Sequence, residues 1–165
     1  MILRVFAILL AVGSLVLFLR AGKVVIALPA AEMLGGILFE ILFVFAIYAV
    51  VHTMFIRAQD IDEAPRLDFG SFGIAAILAR LFGEIYAAFV AIVSLGGALY
   101  VWFTRDDIRS VLQPVPPFFP LFGDRSFLGG FQLLIGGVMS AVLALVVAYV
   151  VADVFRLMLR HAQRP

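Results

Sequence analysis

Ionisable side chains inside apolar segments are the residues of this chain that could do chemistry. Glu40 lies in the run ILFEILFVF, and His52 follows near the end of the same apolar segment. An acid within a membrane span could carry a proton or a cation, and a histidine could ligate a haem or a pigment. Each also has a structural interpretation. Glu40 would be a protonated acid that fixes helix register or meets a partner subunit, and His52 an ordinary interfacial histidine.

Serines on the other apolar segments could hydrogen-bond to Glu40. Counted inward from one membrane face at about 1.5 Å per residue, three serines fall at a depth comparable to that of Glu40. The sequence therefore predicts an intramembrane polar layer made of Ser14, Glu40, Ser94 and Ser140.

A second group of charges lies near the ends of the last two apolar segments. Arg80 and Glu84 are four residues apart and share one side of a helix, and Asp153 and Arg156 are three apart. Crossed ion pairs, Arg80 with Asp153 and Glu84 with Arg156, would join the two helices at this end. Alternatively, the arginines simply extend to lipid phosphates.

No catalytic pattern accompanies these residues. The chain has no cysteine and lacks the Gly-x-Ser-x-Gly, His-Glu-x-x-His and phosphate-loop patterns. Its net charge of +1 creates no field that would attract nucleic acid. We therefore expect no enzyme activity, no metal site, no nucleic-acid partner, and no cofactor apart from the haem or pigment alternative at His52.

The segments that carry these residues are long enough to cross a membrane. The chain is 65% hydrophobic, with a mean hydropathy of +1.17, which is typical of membrane proteins. Crossing about 30 Å of hydrocarbon takes about 20 apolar residues. The candidate spans are Val5–Leu19, Met33–Ile56, Phe82–Phe103 and Phe127–Phe155. The first is expected to be an uncleaved anchor, because its run ends in Arg20 and Lys23 rather than in small residues.

These spans predict an all-α membrane protein with four transmembrane helices. Residues 1–56 would form an N-terminal two-span unit, and 57–81 a cytoplasmic loop with an amphipathic lead-in. Residues 82–165 would form a C-terminal two-span hairpin with a Pro/Phe-rich loop at 104–126. In that loop, prolines interrupt any helix, and the aromatic side chains would lie in the headgroup layer or dock on a partner. These side chains are Phe118, Phe119 and Phe122.

Small residues recur on the last two spans at helical spacing. The third span carries Gly83, Ala87 and Ala91, and the fourth carries Gly136, Ser140, Ala144, Ala148 and Ala152. Helices associate in lipid through close backbone approach, which small residues permit. The two rows are therefore predicted to meet and make the hairpin tight; the alternative is a homodimer seam.

The distribution of basic residues indicates an orientation. One side would hold Arg4, Arg57, Arg66, Arg80, Arg156, Arg160 and Arg164. The other side would hold Arg20, Lys23, Arg105, Arg109 and Arg125. The larger group is expected in the cytoplasm, which places both termini there.

Residues 67–163 resemble an uncharacterised family of small bacterial membrane proteins built on two spans. The resemblance rests on Asp68-Phe69 and Ser71-Phe72, on Gly96-Gly97-Ala98, and on the closing pattern VFRLMLRHAQ. It implies a helical architecture and a bacterial inner-membrane location, and it assigns no catalytic residue. The two N-terminal spans depart from that pattern.

The function predicted from these features is that of a non-catalytic accessory or assembly subunit of a larger membrane complex. Its partners would be the lipid bilayer and other membrane subunits. One alternative is a homo-oligomeric channel or proton-coupled transporter that uses Glu40. Another is a haem- or pigment-binding subunit that uses His52.

Overall fold

The computed structural model describes residues 2–63, 71–108 and 125–162, and these ranges contain helices and no strands. The helices are α1 (Ile2–Ile26), α2 (Ala30–Glu63), α3 (Ser71–Thr104) and α4 (Phe127–Ala162). All four are long and apolar enough to cross a membrane. The predicted all-α fold with four candidate transmembrane helices is confirmed.

The helices extend beyond the predicted spans. α2 and α3 each contain 34 residues, or about 50 Å at 1.5 Å per residue, so their ends pass beyond about 30 Å of hydrocarbon. Residues 57–63 are the last turns of α2, and 71–81 are the first turns of α3. Most of the segment predicted to be a cytoplasmic loop and lead-in is therefore continuous with the two spans.

The helix ends follow local sequence. Pro29 separates α1 from α2, and its carbonyl accepts hydrogen bonds from the backbone N–H groups of Glu32 and Met33. Ser126 precedes α4, and its Oγ accepts a hydrogen bond from the N–H of Gly129 at 3.0 Å, as an N-cap does. α3 ends at Thr104, where Arg105 has a φ of 55° and turns the chain out of the helix.

The helices pack chiefly in chain order. The largest contact joins α3 to α4, followed by α2 with α3 and then α1 with α2. One hydrophobic core nevertheless includes Ala21 of α1, Phe39 of α2, Tyr100 of α3 and Leu133 of α4. The predicted N-terminal and C-terminal two-span units therefore share a core.

Small residues bring α3 and α4 close together, as the sequence predicts. A Cβ added to Gly83 would lie 2.2 Å from the Cβ of Ala148 and 3.3 Å from the carbonyl oxygen of Ala144. Farther along, a Cβ on Gly137 would lie 1.8 Å from the Oγ of Ser94. The two helices could not approach this closely with larger residues at either glycine.

The first part of the predicted α4 row lies beside the closest contact and not in it. Gly137 and Ala141 are buried, whereas Gly136 and Ser140 are half-buried. Each step of four residues advances about 40° beyond a full turn, so a row from Gly136 to Ala152 drifts about 160° around the helix. A row through Gly137, Ala141, Ala144, Ala148 and Ala152 contains one step of three residues. It therefore drifts only about 60° in total and stays on the face of α4 that packs on α3.

On α3, Ala87 is buried and Ala91 is half-buried. On α4, Ala148 and Ala152 are buried and Ala144 is half-buried, with its carbonyl oxygen toward Gly83. We call the contact formed by Gly83, Ser94, Gly137, Ala144 and Ala148 the α3–α4 seam.

The seam predicts different outcomes for two Gly→Ala substitutions. Gly83→Ala should lower the free energy of unfolding by about 1–3 kcal/mol, because the added methyl group overlaps Ala148. Gly13→Ala is the control, since nothing lies within 4 Å of its added Cβ. It should leave stability unchanged or raise it by up to about 1 kcal/mol. Chemical unfolding in one detergent measures both, and equal losses would contradict the seam.

Candidate functional site

The most extensive polar contacts of the described chain lie at one end of the helix bundle, between α2 and α3. Arg57 donates two hydrogen bonds to the Glu84 carboxylate: Nε donates to Oε2 at 2.9 Å, and Nη2 donates to Oε1. The third nitrogen, Nη1, donates to Asp60 Oδ2 at 2.6 Å. The Arg57 and Glu84 side chains are only 23% and 17% exposed, so this two-point ion pair is shielded from solvent.

The same contacts continue to α4. The Tyr149 hydroxyl donates a hydrogen bond to Glu84 Oε1 at 2.9 Å, and the guanidinium carbon of Arg80 lies 4.8 Å from the centre of the Tyr149 ring. Arg80 Nη2 donates to Asp153 Oδ1 at 3.3 Å. Arg156 Nη1 lies 3.9 Å from the same oxygen. We call this set the charged network; it comprises Arg57, Asp60, Arg80, Glu84, Tyr149, Asp153 and Arg156.

The network confirms one predicted ion pair and corrects the other. Arg80 and Asp153 do pair across α3 and α4. Glu84 was predicted to pair with Arg156 but instead binds Arg57 and Tyr149. The prediction considered only the last two spans and assigned Arg57 to a loop. Its position directly after the apolar run of α2 is the sequence feature that could have identified it.

The beginning of α1 lies at this same end of the bundle. Arg4 Nη2 donates a hydrogen bond to Asp62 Oδ2 at 3.0 Å, and both side chains are about half-exposed. The pair joins the start of α1 to the end of α2. Exposed pairs of this kind contribute little stability, about 0–1 kcal/mol. Here the contact mainly shows which helix ends are neighbours.

The predicted polar layer around Glu40 is not formed. A Cβ on Gly22 would lie 3.1 Å from Glu40 Oε1, which places Glu40 level with Gly22, about 12 Å along α1 from Ser14 at 1.5 Å per residue. Ser14 Oγ donates to the carbonyl of Ala11 at 2.8 Å in its own helix. Ser94 Oγ packs against Gly137 instead. Ser140 is half-exposed on α4.

The polar layer was predicted from the depth of each residue below the predicted span ends. The helices extend past those ends by unequal lengths, so equal counts do not give equal depths. Serine hydroxyls also readily bond to a carbonyl of their own helix, which removes the need for a distant partner. Two buried oxygens are left without a hydrogen-bond partner in the described structure, Glu40 Oε1 and Ser94 Oγ. Glu40 therefore stays a candidate site on geometric grounds.

The two histidines have separate surroundings. His52 is exposed, and its ring stacks on that of Tyr48 with centroids 5.7 Å apart and planes inclined by 8°. His161 Nδ1 lies 3.1 Å from the carbonyl oxygen of Leu157. Within residues 2–63, 71–108 and 125–162, no group of three or more His, Asp or Glu could hold a metal ion.

Phe118, Phe119 and Phe122 lie outside the described residues. An aromatic cluster that the sequence reasoning missed lies at the edges of the same loop. Trp102 packs on Phe131 with centroids 4.9 Å apart, and its Nε1 donates to the carbonyl of Phe127 at 2.9 Å. Trp at the end of an apolar span is typical of the membrane interface, and this pattern could have revealed the cluster.

Comparison with models of known protein families, with curated proteins and with solved structures finds no match to this chain. The resemblance of residues 67–163 to a two-span family stays a prediction. A functional proposal for this protein therefore rests on its structure. The structure offers three features: a charged network joining α2, α3 and α4, a covered Glu40, and apolar outer helix faces.

The charged network predicts unequal effects for two acid-to-amide substitutions. Glu84→Gln should lower the free energy of unfolding by about 1.5–3 kcal/mol, because the largely buried Arg57 loses its two-point carboxylate partner and keeps only Asp60. Asp153→Asn should cost less than about 1 kcal/mol, since Asp153 is 65% exposed and its ion pairs are long. Chemical unfolding of the parent and both variants at neutral pH in one detergent measures the two losses of free energy. Equal losses would show that Glu84 is not the centre of the network.

Proposed function

We propose that this protein is a non-catalytic accessory or assembly subunit of a larger membrane complex, bound to its partners through helix packing. The observation that carries the proposal is the outward position of Gly13. This glycine lies in the middle of α1, it is exposed, and a Cβ added to it would meet nothing within 4 Å. Glycine costs about 1 kcal/mol relative to alanine inside a helix, and in lipid it permits a second helix to approach closely.

The rest of α1 supports this interpretation. The helix packs mainly on α2, along the buried residues Ala7, Ser14, Ala21 and Val25. These residues form a narrow stripe, since the first three recur every seventh position. Most of the remaining α1 surface is apolar and exposed, including Leu9, Val12 and Val16. An edge helix with one covered stripe leaves most of its circumference for lipid or for a partner helix.

The location that fits best is a bacterial inner membrane with both termini in the cytoplasm. Arg4, Arg57, Arg80 and Arg156 all belong to the charged contacts at one end of the bundle. Basic residues near span ends favour the cytoplasmic side. The start of α1 and the end of α4 belong to that same end.

The α1 surface makes the subunit proposal testable. Native mass spectrometry of protein extracted from its own membranes in a mild detergent should reveal a defined assembly with other polypeptides. Gly13→Leu should reduce that co-purification at least about tenfold, as loss of about 1.4 kcal/mol of association free energy would. The fold should survive, because the space around Gly13 is open.

Val146→Leu is the matched control, since Val146 is an exposed residue on the outer face of α4. It should retain the partners at the parental level. Equal retention in the Gly13→Leu variant would remove α1 from the interface. A homo-oligomer without other chains would overturn the subunit proposal and favour transport.

A second candidate function, proton or cation transport, is supported by Glu40. Its Oε1 is buried without a hydrogen-bond partner, against Gly22 of α1. Unpaired ionisable groups at membrane depth are costly and often mark ion pathways. His52 gives the haem or pigment function no comparable support, because its ring is exposed and stacked on Tyr48.

The transport function predicts a specific loss. Glu40→Gln keeps the shape of the side chain and removes its ability to ionise, so it should abolish a proton or cation flux into liposomes while the protein still folds. Thr53→Val is a suitable control on the same helix, since the Thr53 hydroxyl only bonds to the carbonyl of Ala49 in its own helix. Equal flux in the parent and the Glu40→Gln variant would exclude Glu40 as the conducting group.

A further inference from the structure

A cleft of about 210 Å³ opens between α2, α3 and α4 beside the charged network. Three arginines from three different helices line it: Arg57, Arg80 and Arg156. Their convergence results from antiparallel packing, which brings the last turns of α2 and α4 beside the first turns of α3. We call it the arginine cleft.

Two of these arginines are incompletely hydrogen-bonded in the described structure. Arg80 Nε is buried without a hydrogen-bond partner in the described structure, and Arg80 Nη2 makes only a long bond of 3.3 Å to Asp153. Arg156 is about half-exposed, and among the described residues its ion-pair partner is Asp153, whose Oδ1 lies 3.9 Å away, beyond hydrogen-bond distance. Arg57 already donates three hydrogen bonds to Glu84 and Asp60, one from each nitrogen, so its main role is to contribute charge.

The carboxylates of the cleft leave room for an anion. Asp60 lines the cleft but is already bound by Arg57 Nη1. Glu63 is the other acidic lining residue; it is exposed in the last turn of α2. Among the described residues that line the cleft, Arg80 and Arg156 are therefore the cations least saturated by hydrogen bonds. Guanidinium groups favour phosphate because their fork of N–H donors matches its oxygens.

The level of the cleft in the membrane identifies the class of anion. Arg57 directly follows the apolar run Met33–Ile56, Arg156 directly follows Phe127–Phe155, and Arg80 lies just before the run that starts at Phe82. The ends of apolar runs mark the boundary between hydrocarbon and headgroups, where lipid phosphates lie. The other lining residues are Gly73, Ile77 and Leu159. They provide an uncharged wall suited to glycerol and the start of an acyl chain.

We propose that the arginine cleft binds the phosphate group of an anionic phospholipid, held chiefly by Arg80 and Arg156. Basic pockets between transmembrane helices at the cytoplasmic side are suited to such headgroups. A bound lipid would join α3 and α4 beside their long ion pair, Arg80 with Asp153 at 3.3 Å. This proposal does not depend on whether the protein is an accessory subunit or a transporter.

Native mass spectrometry of the purified full chain in a non-ionic detergent tests the proposal. The probes are phosphatidylglycerol, phosphatidylcholine and inorganic phosphate, each titrated separately. The parent should bind phosphatidylglycerol at least about tenfold more tightly than zwitterionic phosphatidylcholine. Arg156→Gln should weaken phosphatidylglycerol binding about tenfold, as loss of one charge-assisted hydrogen bond would.

Two further variants keep the test decisive. Arg125→Gln is the control. Like Arg156, Arg125 is exposed and forms a long ion pair with an aspartate (3.7 Å to Asp106), but it lies at the opposite end of α4. The Arg125→Gln variant should bind lipid like the parent. Arg80→Lys preserves the charge near Asp153 but removes the Nε donor, and it should also weaken binding.

Three outcomes would overturn the proposal. The first is equal binding of phosphatidylglycerol and phosphatidylcholine by the parent. The second is parental affinity in both Arg156→Gln and Arg80→Lys. The third is displacement of phosphatidylglycerol by inorganic phosphate at similar concentration, which would identify free phosphate, and not a lipid, as the ligand.

Discussion

The close approach of α3 and α4 at Gly83 is the constraint on which the rest of the structure depends. Because Gly83 lies against Ala148 and the helices are antiparallel, the register of the pair is set. Arg80 then lies one turn away on α3, and Asp153 just over one turn away on α4 in the same direction. A shift of a single turn, about 5.4 Å, would separate these charges and also move the hydroxyl of Tyr149 away from Glu84.

Glu84 extends this arrangement from two helices to three. Its carboxylate accepts hydrogen bonds from Arg57 on α2 and from Tyr149 on α4, so one side chain of α3 joins both neighbours. Charges at the edge of hydrocarbon are strongly destabilising when unpaired, because little water replaces a lost partner. The seam and the network therefore act together: small residues permit close packing, and the ion pairs disfavour alternative registers that dispersion forces alone would distinguish only weakly.

The sequence allowed the fold to be predicted more completely than the site. Runs of apolar residues reveal spans because lipid imposes one length and one composition on every transmembrane helix. The pair of Arg80 and Asp153 could be predicted because both belong to adjacent spans with known spacing. Arg57 was missed because it follows the second apolar run and was assigned to a loop, so it was not considered as a partner for Glu84. Rotation about the helix axis explains why Gly136 was chosen in place of Gly137: a difference of one residue is about 100° around the helix.

The two proposed functions require different behaviour of α1. Gly22 on its inner side covers Glu40, while Gly13, nine residues earlier, is open to the surroundings. A partner helix seated against Gly13 would hold α1 in place and keep Glu40 Oε1 buried. Transport that uses this oxygen would instead require it to become accessible, which a shift of α1 relative to α2 would allow. The contact between α1 and α2 is less extensive than the contact between α2 and α3. A partner that stabilises α1 would therefore also hold the contact between Gly22 and Glu40 Oε1 in place.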